Sequence, residues 1–191
     1  MPSGQKTDEE LMHRLASAPG RRKEESFTQL FQRYAKPLFE YFNYMFRGNK
    51  EKAEDFVHDL FAKIIEKPES FSPGKKFRYW VFSVASNMCK NEFRSLSVRY
   101  NYENEKHTAE THNVEATGFS EIKLALAGLK PETRNVILLK YKFGLSVREI
   151  SGILEIPEGT VKSRLFYGIK SVSHIIQNKQ HELWKKKNIY Q

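Results

Sequence analysis

A stretch that cannot form a hydrophobic core divides this chain into two parts. Residues 99–119, RYNYENEKHTAETHNVEATGF, show almost no aliphatic periodicity, whereas apolar residues recur at helical spacing on both sides. A segment of this composition buries too little apolar surface to fold alone. We therefore predict an all-α protein, in which two small helical domains are joined by a flexible acidic linker. The predicted boundaries are a polar N-terminal arm at 1–24, a first domain at 25–98, the linker at 99–119, a second domain at 120–178 and a basic tail at 179–191.

Three helices are predicted in the first domain. Ser26 and Gln29 form a capping-box pair near the start of the first helix, which ends near Gly48. The segment NKEKAEDFVHDLFAKIIEK gives the second helix one apolar face, and PESFSPGKK marks a loop before the third. The third helix begins with FRYWVFSVASNMCKNEFR. Its helical wheel places Trp80, Val81, Val84, Ala85 and Met88 inward, and leaves Arg78, Phe82, Ser86, Asn87, Lys90, Asn91 and Arg94 for another surface.

A helix-turn-helix is predicted in the second domain. Pro131 suits a first helical turn, Gly144 a helix end, and Ser146 with Glu149 a capping box before the turn LEIP. If Val161 faces inward, Leu165, Gly168, Ile169 and Val172 lie on the same side, with Ile150 and Leu154 opposite them. The outward face then carries hydroxyls, cations and two aromatics, which suits DNA contact. A helical hairpin with a basic surface is the alternative. Close packing against the first helix of the motif would explain a glycine at position 168.

Charge points to a polyanionic partner. The formal net charge is +9, from 32 basic and 23 acidic residues, and two basic blocks flank the acidic linker. A basic surface binds nucleic acid largely by releasing condensed counterions. No stretch approaches the ~18 apolar residues of a membrane span, so we expect no membrane insertion. The single cysteine, Cys89, suits a cytoplasmic protein.

The helix-turn-helix sequence has a recognisable relative. GLSVREI followed by IPEGTVKSRL resembles region 4 of the sigma-70-type transcription initiation factors, over residues 121–176. The resemblance implies that this domain grips the minus-35 promoter element, with Arg148 on phosphate. The candidates for the groove are Thr160, Lys162, Ser163, Arg164, Phe166, Tyr167 and Lys170. Response regulators use a similar helix-turn-helix, so this domain alone leaves the class open.

The first domain resembles region 2 of the same factors. AEDFVHDLFAKII, a loop, and FRYWVFSVASNMCKNEFR carry this resemblance, which spans residues 26–97. It implies that the second helix docks on the clamp helices of core RNA polymerase through Glu54, Asp55, His58 and Asp59. It also implies that the third helix and its preceding loop melt and capture minus-10 DNA. Unpaired bases and their phosphates are bound by aromatic faces beside cations. The minus-10 candidates are Phe71, Ser72, Pro73, Gly74, Lys75, Arg78, Asn87, Lys90 and Arg94.

The short linker narrows the resemblance further. Larger sigma factors place a helical domain between regions 2 and 4, so this chain resembles the extracytoplasmic-function (ECF) group, whose members are commonly held inactive by an anti-sigma factor. We expect no enzymatic activity, cofactor or metal. Two alternatives stay open. One is an autonomous helix-turn-helix regulator, and the other is a nucleic-acid-processing enzyme that uses Asp55, His58 and Asp59, which share one helix face.

Overall fold

The described part of the chain is built from helices. A computed structural model describes the backbone of residues 6–104 and 121–188, and the side chains of 6–98 and 122–178. These residues contain no strand, and the chain divides into two compact units at residues 92 and 93. The helices are α1 (Asp8–Ser17), α2 (Arg21–Met45), α3 (Lys50–Glu66), α4 (Phe77–Asn104), α5 (Glu121–Ala127), α6 (Pro131–Ile137), α7 (Val147–Leu154) and α8 (Glu158–Asn188).

A capped helix lies in the segment for which the sequence pattern predicted a loose arm or a frayed first helix. The Glu10 N–H donates to the Thr7 hydroxyl at 3.1 Å, and the Thr7 N–H donates to the Glu10 carboxylate at 2.8 Å, which completes a capping box. Leu11, Met12 and Leu15 are buried where α1 packs on α2. The sequence pattern did not decide between an arm and a helix, because the apolar residues of α1 are few and its first turn is acidic.

The start of α2 also differs from the prediction. The helix begins at Arg21, so Ser26 lies inside it, and the buried Ser26 hydroxyl donates to the Arg22 carbonyl at 2.9 Å. The predicted capping box of Ser26 and Gln29 is therefore wrong. The end is as predicted, since α2 stops at Met45 and Gly48 adopts φ of 93°.

The first unit has an aromatic core between α2, α3 and α4. The predicted apolar face of α3 is buried at five positions, namely Ala53, Val57, Leu60, Phe61 and Ile64. Phe56, which the same periodicity placed on this face, is half-buried, and Ile65 is exposed. The rings of Tyr41 and Phe82 meet edge to face with centroids 5.7 Å apart, and those of Tyr34 and Phe77 do so at 5.0 Å. Aromatic pairs of this geometry stabilise a small core beyond their buried area.

The inward face of α4 is rotated from its predicted position. Val81 and Ala85 are buried as predicted, but Phe82, Ser86 and Cys89 are buried as well, while Trp80, Val84 and Met88 are only half-buried. The Ser86 hydroxyl is satisfied by the buried Tyr41 hydroxyl, at 3.0 Å. Because that partner comes from α2, the polar residue can lie in the core, which a helical wheel alone does not indicate.

In the second unit, α5, α6 and α7 all pack on α8. Pro131 is the first residue of α6, as predicted, and α6 runs into a π-helical segment, Leu138–Lys142, before Gly144 at φ of 69°. The buried Arg134 donates from Nε to the Leu126 carbonyl and from Nη2 to the carbonyls of Ala127 and Leu129, each at 2.8 Å. Arg134 thus caps the C-terminal end of α5, where backbone carbonyls lack the N–H partners available inside a helix.

The helix-turn-helix is formed by α7 and α8. Ser146 and Glu149 form the predicted capping box, and Glu155 in the turn adopts the left-handed conformation at φ of 54°. Ile150 and Ile153 are buried on α7, rather than Ile150 and Leu154 as predicted.

The inward face of α8 needs two corrections. Val161 and Leu165 are buried as predicted, but Ile169 is 42% exposed. Gly168 is buried against α6 and not against α7, since a Cβ placed there would lie 2.6 Å from Ile137 Cδ1 and 2.7 Å from Thr133 Cγ2.

Two helices extend beyond the predicted elements. The backbone of α4 continues to Asn104, into the segment predicted as linker, and α8 continues to Asn188, into the predicted tail. The rest of the predicted linker, from 105 to 119, and residues 189–191 lie outside the described residues.

Candidate nucleic-acid interface

The exposed face of α8 carries the predicted minus-35 residues. Phe166 and Tyr167 are each 65% exposed, and their rings meet edge to face with centroids 5.2 Å apart. Lys162, Ser163 and Lys170 are also exposed, whereas Thr160 and Arg164 are half-buried. These side chains project outward because Val161 and Leu165, on the other side of the same turns, are buried.

Two contacts refine this surface. Arg148 is exposed on α7, so both helices of the motif present cations to solvent. The Ser163 hydroxyl donates to the Thr160 carbonyl at 3.0 Å, a bond that leaves its oxygen free to accept from another group. A surface with aromatics, hydroxyls and cations can contact thymine methyls, base edges and phosphates.

The loop before α4 presents the predicted minus-10 residues. Ser72, Pro73, Gly74 and Lys75 are exposed, and Gly74 adopts φ of 85°, a conformation that side chains other than glycine rarely take. The half-buried ring of Phe71 packs edge to face against Trp80 at 5.5 Å and against Phe77 at 5.9 Å. Phe71 therefore anchors one end of the loop while part of its ring stays accessible.

The helix α4 presents its predicted minus-10 residues on opposite sides. Asn87 and Arg94 are exposed and seven residues apart, so they lie on one side, together with Trp80. Lys90 is exposed next to this row. Arg78 precedes Asn87 by nine residues, which is about half a turn around the helix. The structure thus brings Asn87, Lys90 and Arg94 together with Trp80, but not with Arg78.

Arg78 lines a separate groove of about 400 Å³. The groove is also lined by Thr7, Asp8, Glu9, Arg33, Tyr34, Lys76 and Tyr79. The sequence pattern did not indicate Lys76 or Tyr79 as surface residues of interest, and nothing in the spacing of α1 points to α4.

An ion pair and two hydrogen bonds link α1 to α2 and α4 around this groove. Asp8 pairs with Arg33 at 2.5 Å and also accepts a hydrogen bond from the Tyr34 hydroxyl. Burial raises the pKa of Tyr34 above its ordinary value of 10.0, and the hydrogen bond to Asp8 raises the pKa further. The backbone N–H of Phe77, the first residue of α4, donates to the Glu9 carboxylate at 3.1 Å.

The predicted polymerase-binding residues lie together on α3. Glu54, Asp55, His58 and Asp59 are all exposed, opposite the buried residues of the same helix. Ile65 continues this face towards the C-terminal end of α3 and is 39% exposed. Among the described residues, no group of three or more His, Cys, Asp or Glu side chains could hold a metal ion.

Comparisons with known proteins match both units to one class. The Sigma-70 region 2 family matches residues 30–99, and the Sigma-70, region 4 family matches residues 119–172. The ECF RNA polymerase sigma factor SigL of Mycobacterium tuberculosis is 33% identical over 137 residues, covering 68% of this chain and 77% of SigL. This chain belongs to the ECF RNA polymerase sigma factors. SigW of Bacillus subtilis is 30% identical over 141 residues, covering 65% of this sigma factor and 75% of SigW.

Solved sigma factors share the fold of this one. RpoE of Bartonella quintana, crystallised with the anti-sigma factor NepR, gives a TM-score of 0.66 at 22% identity, covering 80% of this sigma factor and 98% of RpoE. CnrH, in complex with the cytosolic domain of CnrY, gives a TM-score of 0.66 at 20% identity, covering 90% of this sigma factor and 97% of CnrH. These likenesses support the predicted all-α fold.

Family membership bears on the alternatives left open by the sequence. This sigma factor is a transcription initiation factor and not an enzyme. None of the helices within residues 6–104 and 121–188 combines the length and hydropathy that crossing a bilayer requires.

Proposed function

We propose that this ECF sigma factor recognises the promoter through two surfaces and binds polymerase through a third. The minus-35 element is read by α8 in duplex form, the minus-10 element is captured in opened form by the loop at 71–75 with α4, and core RNA polymerase binds the exposed face of α3. The observation that carries the proposal is that aromatic side chains stay accessible beside cations in both parts of the chain: Phe166 and Tyr167 are exposed on α8, and Phe71 and Trp80 are half-buried near the start of α4.

The composition of α8 supports duplex reading. Phe166 and Tyr167 are far too exposed to contribute to the core, and a major groove accepts a single helix of this width. Lys162 and Lys170 flank the aromatic pair at the distance of one helical turn, where phosphates of the groove walls would lie. Arg148 on α7 adds a phosphate contact from the neighbouring helix.

The loop at 71–75 and the exposed residues of α4 support capture of a single-stranded base. Extracting a base from its stack costs a few kcal/mol, which the receiving pocket must offset by stacking and hydrogen bonds. Phe71 and Trp80 offer partly exposed aromatic faces, and Asn87, two turns beyond Trp80, offers both a donor and an acceptor to a base edge. Ser72, Pro73, Gly74 and Lys75 form the wall of the pocket, and Lys90 and Arg94 contact the backbone phosphates.

Arg78 has a different part in this proposal. Because it lies on the opposite side of α4 from Asn87, it contacts DNA along the groove beside α1 and does not contact the captured base. The polymerase contact on α3 uses Glu54, Asp55, His58 and Asp59, and Ile65 supplies an apolar contact at the end of that face.

An anti-sigma factor is part of the proposal. Solved relatives of the same fold are held by NepR and by the cytosolic domain of CnrY. By analogy, this sigma factor is kept from polymerase by a protein that covers the same surfaces. It acts in the cytoplasm, where core polymerase and the chromosome are found, and residues 99–119 act as the linker between regions 2 and 4.

Reconstituted transcription tests these assignments. The full chain is combined with bacterial core RNA polymerase and a promoter library, and sequence-specific run-off transcripts are read by sequencing. Asn87→Ala should reduce selection of one minus-10 base, and Lys170→Ala should weaken binding at the minus-35 element uniformly across sequences. Lys36→Ala, which removes an exposed cation from α2, is the matched control and should change neither. Selection of intact duplex by the free chain, without transcripts in the presence of polymerase, would contradict the proposal.

A further inference from the structure

Three contacts from outside α4 meet at its first residue. Phe77 is fully buried, its ring packs against Tyr34 at 5.0 Å and Phe71 at 5.9 Å, and its backbone N–H donates to Glu9 of α1 at 3.1 Å. Tyr34 is itself tied to α1 through Asp8, which also pairs with Arg33. The side chains of Asp8 and Glu9 thus join α1 to the site where the loop becomes a helix.

Glu9 supplies a helix cap that the local sequence lacks. The first N–H groups of a helix have no partner within it, and Ser, Thr, Asp or Asn before the first turn commonly accepts from one of them. The residue before Phe77 is Lys76, whose side chain has no acceptor. The acceptor comes instead from a carboxylate 68 residues earlier in the chain.

This cap fixes the end of the minus-10 loop. The ring of Phe71 anchors one end of the loop, Glu9 anchors the other, and the residues between them are exposed. Within the loop, the Lys75 N–H reaches the Ser72 carbonyl only at 3.4 Å. The position of the loop over α4 therefore depends on its two ends.

We propose that Glu9 is a positioning residue for promoter opening, which holds the loop and the start of α4 in the geometry that captures the minus-10 base. This inference rests on the proposed function and adds α1 to the minus-10 apparatus. Glu9 does not touch DNA in this role. It acts through the Phe77 N–H, so an uncharged acceptor of the same length should replace it.

The test uses the promoter recovered from the library and the full holoenzyme. Three variants are compared with the wild type: Glu9→Ala removes the acceptor, Glu9→Gln keeps an acceptor oxygen without the charge, and Glu10→Ala removes the neighbouring carboxylate. Glu10 belongs to the capping box of α1 and, among the residues whose side chains are described, bonds to Thr7 and not to α4. Its variant therefore controls for loss of charge and for weakening of α1. Two ratios are measured for each protein, namely transcripts from the consensus promoter over those from promoters with one altered minus-10 or minus-35 base.

The positioning role predicts a selective loss. The minus-10 ratio should fall about fivefold in Glu9→Ala, the effect typical of losing one helix cap. It should stay within about twofold of the wild type in Glu9→Gln and Glu10→Ala, and the minus-35 ratio should stay unchanged in all three. A simple folding defect would instead lower all transcripts by the same factor and leave both ratios unchanged.

Other outcomes would overturn the inference. They are equal losses in Glu9→Ala and Glu10→Ala, equal losses in Glu9→Ala and Glu9→Gln, an unchanged minus-10 ratio in Glu9→Ala, or a gain from removing negative charge near the DNA. The proposed function fails separately, if the wild-type holoenzyme gives no promoter-specific transcript. A wild type that transcribes, beside a Glu9→Ala variant with full minus-10 preference, refutes the positioning role alone.

Discussion

Adding one methyl group to α8 should destabilise the second unit, although the change favours a helix. Glycine inside a helix costs about 1 kcal/mol relative to alanine, so Gly168→Ala would stabilise an isolated helix. In the folded unit, the added Cβ would lie 2.6 Å from Ile137 Cδ1 and 2.7 Å from Thr133 Cγ2. Both distances are below the contact limit for two carbon atoms, so α6 and α8 must move apart or a side chain must rotate.

The two neighbours differ in how easily they move. Ile137 Cδ1 is the far end of a flexible side chain, although Ile137 is buried and has little room to turn. Thr133 Cγ2 is bonded directly to Cβ, so it moves only if χ1 changes or the backbone shifts. Overpacking of this kind costs typically 1–3 kcal/mol. After the gain in helix propensity of about 1 kcal/mol, we expect a net loss of roughly 1 kcal/mol in the free energy of unfolding.

Hydrogen exchange of the full chain, followed by mass spectrometry, measures this loss in the second unit alone. The slowest amides of α6 and α8 report its free energy of opening. Gly152→Ala is the matched control, because a Cβ on that exposed residue of α7 meets nothing within 4 Å, and it should stabilise the unit by up to ~1 kcal/mol. Adding Thr133→Ser, which removes Cγ2, should recover part of the loss. The reasoning is refuted if Gly168→Ala stabilises the unit as much as Gly152→Ala does.

Two further predictions concern buried polar groups. Arg134→Met should lower the stability of the second unit by roughly 2–4 kcal/mol, because the carbonyls at the end of α5 lose a charged donor; exchange of the α5 and α6 amides measures it, and an unchanged rate would contradict the capping role. Tyr34 should make the first unit less stable in alkali. Its pKa is raised on folding, so the stabilisation is complete below the ordinary pKa of 10.0 and is lost as the pH rises above it. Between pH 8 and about 11, the Tm of Tyr34→Phe should therefore fall less steeply with pH than the Tm of the wild type. Parallel curves of Tm against pH would contradict the assignment.

Local sequence patterns predicted those helices that bury a single apolar face. The periodicity of α3 identified all five of its buried residues, although it also included the half-buried Phe56 and the exposed Ile65. The capping box at Ser146 and Glu149 placed the start of α7, because caps and periodicity are local properties. The predicted start of α2 was wrong because a local pattern can also be misleading. A Ser with Gln three residues later fits a capping box, but the Ser26 hydroxyl bonds back to the preceding turn in the middle of the helix.

Tertiary partners account for the remaining differences. Ser86 is polar, and only the Tyr41 hydroxyl from another helix makes its burial favourable. Gly168 was predicted to face α7, yet its neighbours come from α6, since spacing shows that a close contact is needed but not which helix supplies it. The pairing of Glu9 with Phe77 spans 68 residues, and no local pattern encodes it.

The candidate site follows the same rule. The exposed residues of α3 and α8 could be listed from a helical wheel, because each lies opposite a buried stripe. The separation of the α4 residues into two surfaces could not be predicted in this way. A wheel does place Arg78 and Asn87 on opposite sides, but the groove that receives Arg78 is formed by residues of α1 and α2. The sequence analysis therefore grouped Arg78 and Asn87 in one candidate surface, whereas the structure places them on two.

That division suggests how the first unit prepares for DNA. A side chain that is ordered only on binding lowers affinity by ~0.5–1.5 kcal/mol, so a base-capturing surface gains when its aromatics are fixed beforehand. Trp80 is held by Phe71 and Phe77 on the accessible side of α4, while Phe77 is held by Tyr34 and Glu9 on the other. The acidic residues of α1 lower the positive potential of the groove beside Arg78, which opposes phosphate binding there. We infer that the first unit gives up some electrostatic attraction along that groove and gains a rigid minus-10 loop.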